Sequence, residues 1–141
     1  MPQIAVLMAV YNGGEYLTLA IESILEQTFT DFEFIVINDG STDSTLDVLT
    51  EYAQRDQRIR IISRENKGLV ASLNEGISAA RAPLIARMDA DDIAYQTRLE
   101  TQFNYMQKHT EVICVGSYHE VIDEEGLRLT IEKAPTSDGL I

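Results

Sequence analysis

The strongest constraint on this chain is an alternation. Apolar runs at Ile4–Val10, Phe32–Ile37, Ile59–Ile62 and Leu84–Met88 are each followed by a polar loop and then by apolar residues at helical spacing. The spacing predicts helices over about 15–27 (Leu17, Ile21, Ile24, Leu25) and about 43–55 (Leu46, Leu49, Tyr52). Two more follow, one with Leu69, Leu73, Ile77 and Ala80 on one face and one over about 96–108 with Leu99, Phe103 and Met106. Strands buried on both faces read as continuous apolar runs, and strands joined through helices run parallel. The expected fold class is α/β: a mostly parallel sheet with helices on both faces and right-handed crossovers. Val112–Ser117 is predicted as a fifth strand. Val121-Ile122 and Leu127–Ile131 flank the turn Asp123-Glu124-Glu125-Gly126 and read as a C-terminal hairpin that breaks the alternation.

At 141 residues the chain is expected to be a single domain over 1–141, without internal repeats or a linker. The stretch from Ala134 (Ala-Pro-Thr-Ser-Asp-Gly) is turn-rich and reads as a frayed end. Hydrophobic residues make up 45% and charged residues 24%, which excludes low-complexity disorder for most of the chain. No apolar run approaches the ~18 residues of a membrane span. Ile4–Val10 is short, and no Lys or Arg precedes it, so it does not read as a signal peptide.

Eleven basic against 23 acidic residues give a net charge of -12. That balance argues against a nucleic-acid partner, because phosphate neutralisation dominates such binding. It leaves room for an anionic small ligand beside a divalent cation. Arg55, Arg58, Arg60, Arg64 and Lys67 cluster in sequence; they read as a solvated helix end and strand, with one or two near a phosphate or base as the sharper alternative. The single cysteine, Cys114, makes no internal disulfide and reads as a core thiol. A reducing compartment fits, and the expectation is a cytoplasmic protein, with attachment to the inner face of a membrane through a region or partner outside this chain left open. His109 fits a helix C-terminus and His119 a surface position, and neither has zinc-ligand spacing.

Ligands of an open parallel sheet bind beyond the carboxyl ends of its strands. The loops there are Tyr11-Asn12-Gly13-Gly14, Asp39-Gly40-Ser41, Asn66-Lys67-Gly68 and Asp89-Ala90-Asp91-Asp92. All four are expected at one edge. In an extended segment the carboxylates of Asp89 and Asp91 point the same way, and a cation between them relieves their repulsion. Oxygen-only ligands suit Mg²⁺ or Mn²⁺. The alternative is that Asp91 or Asp92 caps the next helix. Asp39 reads either as an Asx-turn residue or as an acceptor for a base or ribose. The chain has neither a P-loop nor a Gly-x-Gly-x-x-Gly pattern.

Five segments together resemble family 2 glycosyltransferases: Ala9-Val10-Tyr11-Asn12, Asn38-Asp39-Gly40-Ser41-Thr42-Asp43, Asn66-Lys67-Gly68-Leu69, Met88-Asp89-Ala90-Asp91-Asp92, and Arg98-Leu99-Glu100-x-Gln102. The resemblance covers roughly residues 3–117. It implies the GT-A fold, a nucleotide-sugar donor, most often a UDP-sugar, and Mn²⁺ or Mg²⁺. It implies that Asp39 accepts from the base, that Val10, Tyr11 and Asn12 line the base and ribose pocket, and that Asn66 and Lys67 lie at the far side of the base. It implies further that Asp89 approaches the ribose or metal and that Asp91 ligates the metal. Ala9 and Gln96 stand where the family commonly has proline, which removes no ligand group.

The family's catalytic base is a carboxylate in a downstream acceptor-binding half. No residue after Asp92 stands in for it, so the base is expected beyond Ile141; Glu120, Asp123, Glu124 and Glu125 read as a solvated hairpin. The acceptor is expected to be a carbohydrate or lipid-linked molecule, in polysaccharide biosynthesis, with transfer by inversion. A non-catalytic nucleotide-sugar-binding module is the alternative. A nucleotidyltransferase ranks lower, since Asn12-Gly13-Gly14-Glu15 is acidic where a basic loop is wanted. A phosphoacceptor receiver domain lacks the acidic residues it needs after the first strand.

Overall fold

The computed structural model describes residues 1–133, and the turn-rich stretch from Ala134 lies outside the described residues. Strands β1 (Ile4–Val10), β2 (Phe32–Asp39), β3 (Ile59–Arg64) and β4 (Leu84–Asp89) form an all-parallel sheet in the order β3-β2-β1-β4. Helices α1 (Leu17–Leu25), α2 (Thr45–Arg55) and α3 (Leu69–Ala79) provide the crossovers, and α4 (Arg98–Lys108) follows β4. The antiparallel pair β5 (His119–Ile122) and β6 (Arg128–Glu132) is the expected hairpin. The chain divides into two compact units, Met1–Glu100 and Thr101–Ile141.

In the first unit β1 and β2 are the central strands, and β2 is buried along its whole length. Alternation along each strand feeds two cores. Ala5, Leu7, Ile35 and Ile37 face one way and pack with Leu73, Ala79 and Ala80 from α3 and its end. Val6, Met8, Phe34 and Val36 point the other way and are equally buried, as are Leu17, Ile21 and Ile24 of α1 and Leu49 of α2. Helices therefore cover both faces. The buried stripe of α3 differs from the expected one. Leu69 and Ile77 are each 51% exposed, whereas Ser72 and Gly76 are buried. The helix lies so close to β1 that a Cβ on Gly76 would stand 2.1 Å from Leu7 Cδ1. Small residues, not leucines, make that approach possible.

In the second unit Val112–Ser117 is not a strand. Among the described residues no strand pairs with it; Val112 N–H closes a turn on His109 C=O, and Ile113 is 95% exposed. Apolar content supplies strand propensity, but a strand forms only against a partner's backbone. Cys114 is accordingly exposed and not a core thiol. His109 stacks on Tyr105 and His119 pairs with Glu132 at the surface.

Candidate functional site

The four parallel strands end at one edge, and their loops form two assemblies bridged by hydrogen bonds from the loop after β1 to the loop after β2. The strand order reverses beside β1, with β2 and β3 on one side and β4 on the other. Open α/β sheets bind ligands in the crevice at such a reversal. A cleft of about 540 Å³ lies there, lined by residues 9–16 from β1 and the loop after it, by Arg87, Asp89, Ala90 and Asp91 from β4 and its loop, and by Leu69 of α3. Val10, Tyr11, Asn12, Asp89 and Asp91 all line this cleft. Asp39, Asn66 and Lys67 do not; they belong to the second assembly.

The first wall is anchored from behind. Asn12 takes a left-handed φ of 52°, which Asn tolerates better than most residues. Its N–H donates to Ser41 Oγ at 2.9 Å, and its Oδ1 accepts Thr42 N–H at 2.8 Å. Gly13 N–H donates to Thr45 Oγ1 at 2.9 Å. These bonds commit the Asn12 backbone N–H and Oδ1 to the loop after β2, while the phenol of Tyr11 stays half exposed at the cleft.

The acidic wall is held at both ends. Upstream it continues the β4 ladder, in which Ala9 pairs with Asp89. Downstream, Ala94 N–H donates to Ser23 Oγ at 3.0 Å. Buried Gln27 donates from Nε2 to Tyr95 C=O at 2.8 Å and accepts Leu99 N–H at 3.0 Å on Oε1. Helix α4 starts at Arg98, so neither Asp91 nor Asp92 stands at its N-cap, and Gln27 of α1's end serves one of its first donors. The helix-cap reading of the acidic motif is thereby set aside. Arg98 Nη2 donates to Arg87 C=O at 2.7 Å. Burial lowers the Arg98 pKa, partly offset by the charges of Asp92 and Asp89, and the guanidinium stays charged.

Asp89 presents both carboxylate oxygens to Arg87 Nη2, at 2.8 and 3.1 Å, and Asp91 is exposed at the cleft. The donor set is oxygen only, the chemistry a hard cation takes. Among the described residues no three metal-ligating side chains gather. Two carboxylates fit a cation that fills its remaining positions with phosphate oxygens and water, as Mg²⁺ does beside nucleotides.

The second assembly is buried and closed. Asp39 is 4% exposed. Its Oδ1 accepts Lys67 N–H at 2.8 Å and also pairs with Arg64 Nη1, while Oδ2 accepts Gly68 N–H at 2.9 Å. Burial alone would raise the Asp39 pKa, but these donors outweigh it and hold the carboxyl below its ordinary value. Arg64 donates onward to Glu75 Oε2 at 2.8 Å and Ser72 Oγ at 2.9 Å on α3. Asn66 Nδ2 donates to Asp39 C=O at 2.9 Å. Asp39 does not make the expected turn into Gly40-Ser41, where Asn38 Oδ1 accepts Ser41 N–H at 3.2 Å; its carboxylate instead shapes the 66–68 loop. The clustered arginines resolve the same way, since Arg55, Arg58, Arg60 and Arg64 pair with Glu51, Asp56, Glu33 and Asp39. Lys67 alone of that cluster has an exposed side chain outside these pairs.

Glu15, Tyr16, Leu69 and Arg87 line the cleft although the sequence reading names none of them as a site residue. Glu15 and Tyr16 follow directly on the first loop, so a signal existed for them. Arg87 sits two residues before Asp89, on the strand face Asp89 shares, which is the period-2 rule applied backwards.

The sequence model for glycosyl transferase family 2 matches residues 5–137. A Haemophilus influenzae protein described as an uncharacterised glycosyltransferase is 41% identical over 138 residues, which is 97% of this chain and 43% of that protein. The chain thus spans less than half that relative's length. The fold is similar to Staphylococcus aureus TarS, solved in complex with UDP-GlcNAc (TM-score 0.71, 25% identity, 78% of this chain and 32% of that one). It is also similar to the mannosyltransferase PcManGT from Pyrobaculum calidifontis, solved with GDP-Man and Mn²⁺ (TM-score 0.69, 21% identity, 74% of this chain and 32% of that one).

Proposed function

The chain belongs to glycosyl transferase family 2, and from that premise we propose that its β1–β4 cleft holds a nucleotide-sugar donor, a UDP-sugar, with Mn²⁺ or Mg²⁺ at the acidic wall. The observation that carries the reading is that Tyr11 and the Asp89–Asp91 pair line one cleft at the strand-order reversal. Tyr11 offers a ring face and a hydroxyl to the base and ribose. Asp91 and Asp89 would hold the cation. A cation there supplies Lewis-acid neutralisation of the departing diphosphate. Asp39, Asn66 and Lys67 border the base through the loop that Asp39 shapes; Lys67 is the member with a side chain open to it.

In the reaction proposed for the whole protein, an acceptor hydroxyl attacks the anomeric carbon. The bond from that carbon to the diphosphate oxygen breaks with inversion, and the hydroxyl proton passes to a carboxylate. We place that base beyond Ile141, in the part of the longer relatives that this chain does not span, since Asp89 and Asp91 are spent on the cation in this arrangement. The acceptor, a carbohydrate or lipid-linked molecule, belongs to the same region. The 1–141 chain is then a donor-binding domain that does not transfer sugar by itself.

The test is calorimetric titration of the chain with UDP, with and without Mn²⁺. Binding should tighten with the metal by at least about tenfold. Equal affinity in both conditions, or no binding of any nucleoside diphosphate, rejects the reading. Transfer of labelled sugar by a longer product of the same gene, and not by this chain, separates an enzyme from a binding module.

A further inference from the structure

The geometry points to Arg87 as a positioning residue that competes with the divalent cation for Asp89 and hands itself over to the donor's diphosphate, so that cation and nucleotide bind cooperatively. This rests on the donor-cleft reading above. Arg87 and Asp89 lie two residues apart on β4, both line the cleft, and a single guanidinium nitrogen bridges the two carboxylate oxygens at 2.8 and 3.1 Å. Those oxygens are the ones a cation at Asp89 needs. A guanidinium and a divalent ion cannot share them without strong like-charge repulsion. Cation binding therefore displaces Arg87 from Asp89.

The displacement is feasible because the pair is open to water, with side-chain exposures of 56% and 45%, and such pairs hold weakly. The backbone beneath does not move with the side chain, since Arg87 C=O is fixed by Arg98 Nη2 at 2.7 Å. A freed guanidinium lining the same cleft needs an anionic partner. Phosphate oxygens suit its fork as well as a carboxylate does. A cation arriving alone loses Arg87's partner and gains none for it. A cation arriving with a diphosphate gives Arg87 a new acceptor at the moment it loses the old one. That difference is a coupling between the two ligands, and linkage makes it reciprocal.

The experiment measures Mn²⁺ affinity from the electron paramagnetic resonance signal of the free hexaaqua ion, with and without saturating UDP, for the chain and for Arg87→Gln and Arg87→Lys. Melting curves confirm that each variant is folded. In the unmodified chain UDP should tighten Mn²⁺ binding by at least about tenfold. Arg87→Gln should bind Mn²⁺ alone about threefold or more tighter, and its coupling factor should fall by at least about fivefold. Unchanged Mn²⁺ affinity together with unchanged coupling overturns the proposal and leaves the donor cleft standing. An unmodified chain that binds neither Mn²⁺ nor UDP overturns both. If Arg87→Gln does not fold, Arg87→Lys decides: the loss of the planar fork should at least halve the coupling, and wild-type coupling in that variant overturns the proposal.

Discussion

The ends of β2 and β4 carry the same residue type at the same place in parallel strands, yet Asp39 and Asp89 live in different chemistry. Asp39 is 4% exposed and takes three donors from Arg64, Lys67 and Gly68. Asp89 is hydrogen-bonded by the exposed side chain of Arg87, and opens with Asp91 onto the cleft. The difference follows from topology. The β2 end is hemmed in by β3, whose last residue Arg64 is the register partner of Asp39, and by the loop into α3. The β4 end lies on the other side of β1, at the strand-order reversal, and among the described residues no further strand pairs beyond it. One carboxylate is closed into the edge of the sheet and the other stays open at the cleft.

The largest test of that contrast removes each carboxylate in turn. Asp39→Ala leaves the Lys67 and Gly68 N–H groups without their acceptor and takes one partner from Arg64, which keeps Glu75 and Ser72, and should cost about 2–4 kcal/mol in urea unfolding. Asp91→Ala should stay within about 0.5 kcal/mol, as exposed positions do. Equal losses at the two positions break the comparison.

Next in size is Gly40, which follows Asp39 with φ 75°. A Cβ there would stand 2.5 Å from the backbone nitrogen of Asn66. Overpacking and left-handed strain together should make Gly40→Ala lose about 2–3 kcal/mol, read from the same unfolding curves. A neutral Gly40→Ala would mean that the 65–66 loop moves away freely and the β2 edge is not rigid.

A third measurement sharpens the other side. Asp91→Asn keeps size and polarity but is a poorer ligand for a hard cation. It should leave melting unchanged and weaken Mn²⁺-assisted UDP binding by at least tenfold, about 1.4 kcal/mol. Retained metal dependence in that variant removes Asp91 from the cation shell.

The smallest effect expected is one of pH. Glu33, at the opposite end of β2, is also buried. Burial alone would raise its pKa, but the N–H groups of Arg81 and Ala82 and the guanidiniums of Arg60 and Arg81 outweigh it and hold it low. Both Glu33 and Asp39 thus titrate lower folded than their ordinary values of 4.5 and 3.8. Their stabilising contribution is complete above those values and is lost as pH falls through the lower folded ones. The urea midpoint should hold from pH 7 to 5 and drop below about pH 4. In Asp39→Asn that acid-side drop should be shallower, and an unchanged drop would assign it to other groups.

Much of the architecture was legible because its signals are local. Continuous apolar runs mark β1 and β2 as buried strands, and Leu17, Ile21 and Ile24 mark the buried stripe of α1. The acidic motif was legible because two carboxylates two residues apart follow a strand at the edge where open sheets take ligands; β4 itself is only partly buried, and the expected extended geometry ends at Asp89, where Asp92 N–H closes a turn on Asp89 C=O. What escaped depends on pairing in space. Val112–Ser117 has strand composition without a partner. Gln27 looks like any surface glutamine until it is seen joining α1 to the start of α4. The packing of α3 through Gly76 rather than Leu69 and Ile77 is set by the distance to Leu7. The division of the four loops into a clasped pair and an open cleft needs the strand order, which periodicity does not carry.

The most direct test of the donor cleft is a crystal structure of this chain with UDP and Mn²⁺. The account predicts an anomalous manganese peak bound by Asp91, Asp89 and diphosphate oxygens, with the uracil and ribose against Tyr11 and Arg87 turned from Asp89 toward a phosphate. Nucleotide density outside the β1–β4 cleft, or manganese bound away from both aspartates, would contradict it.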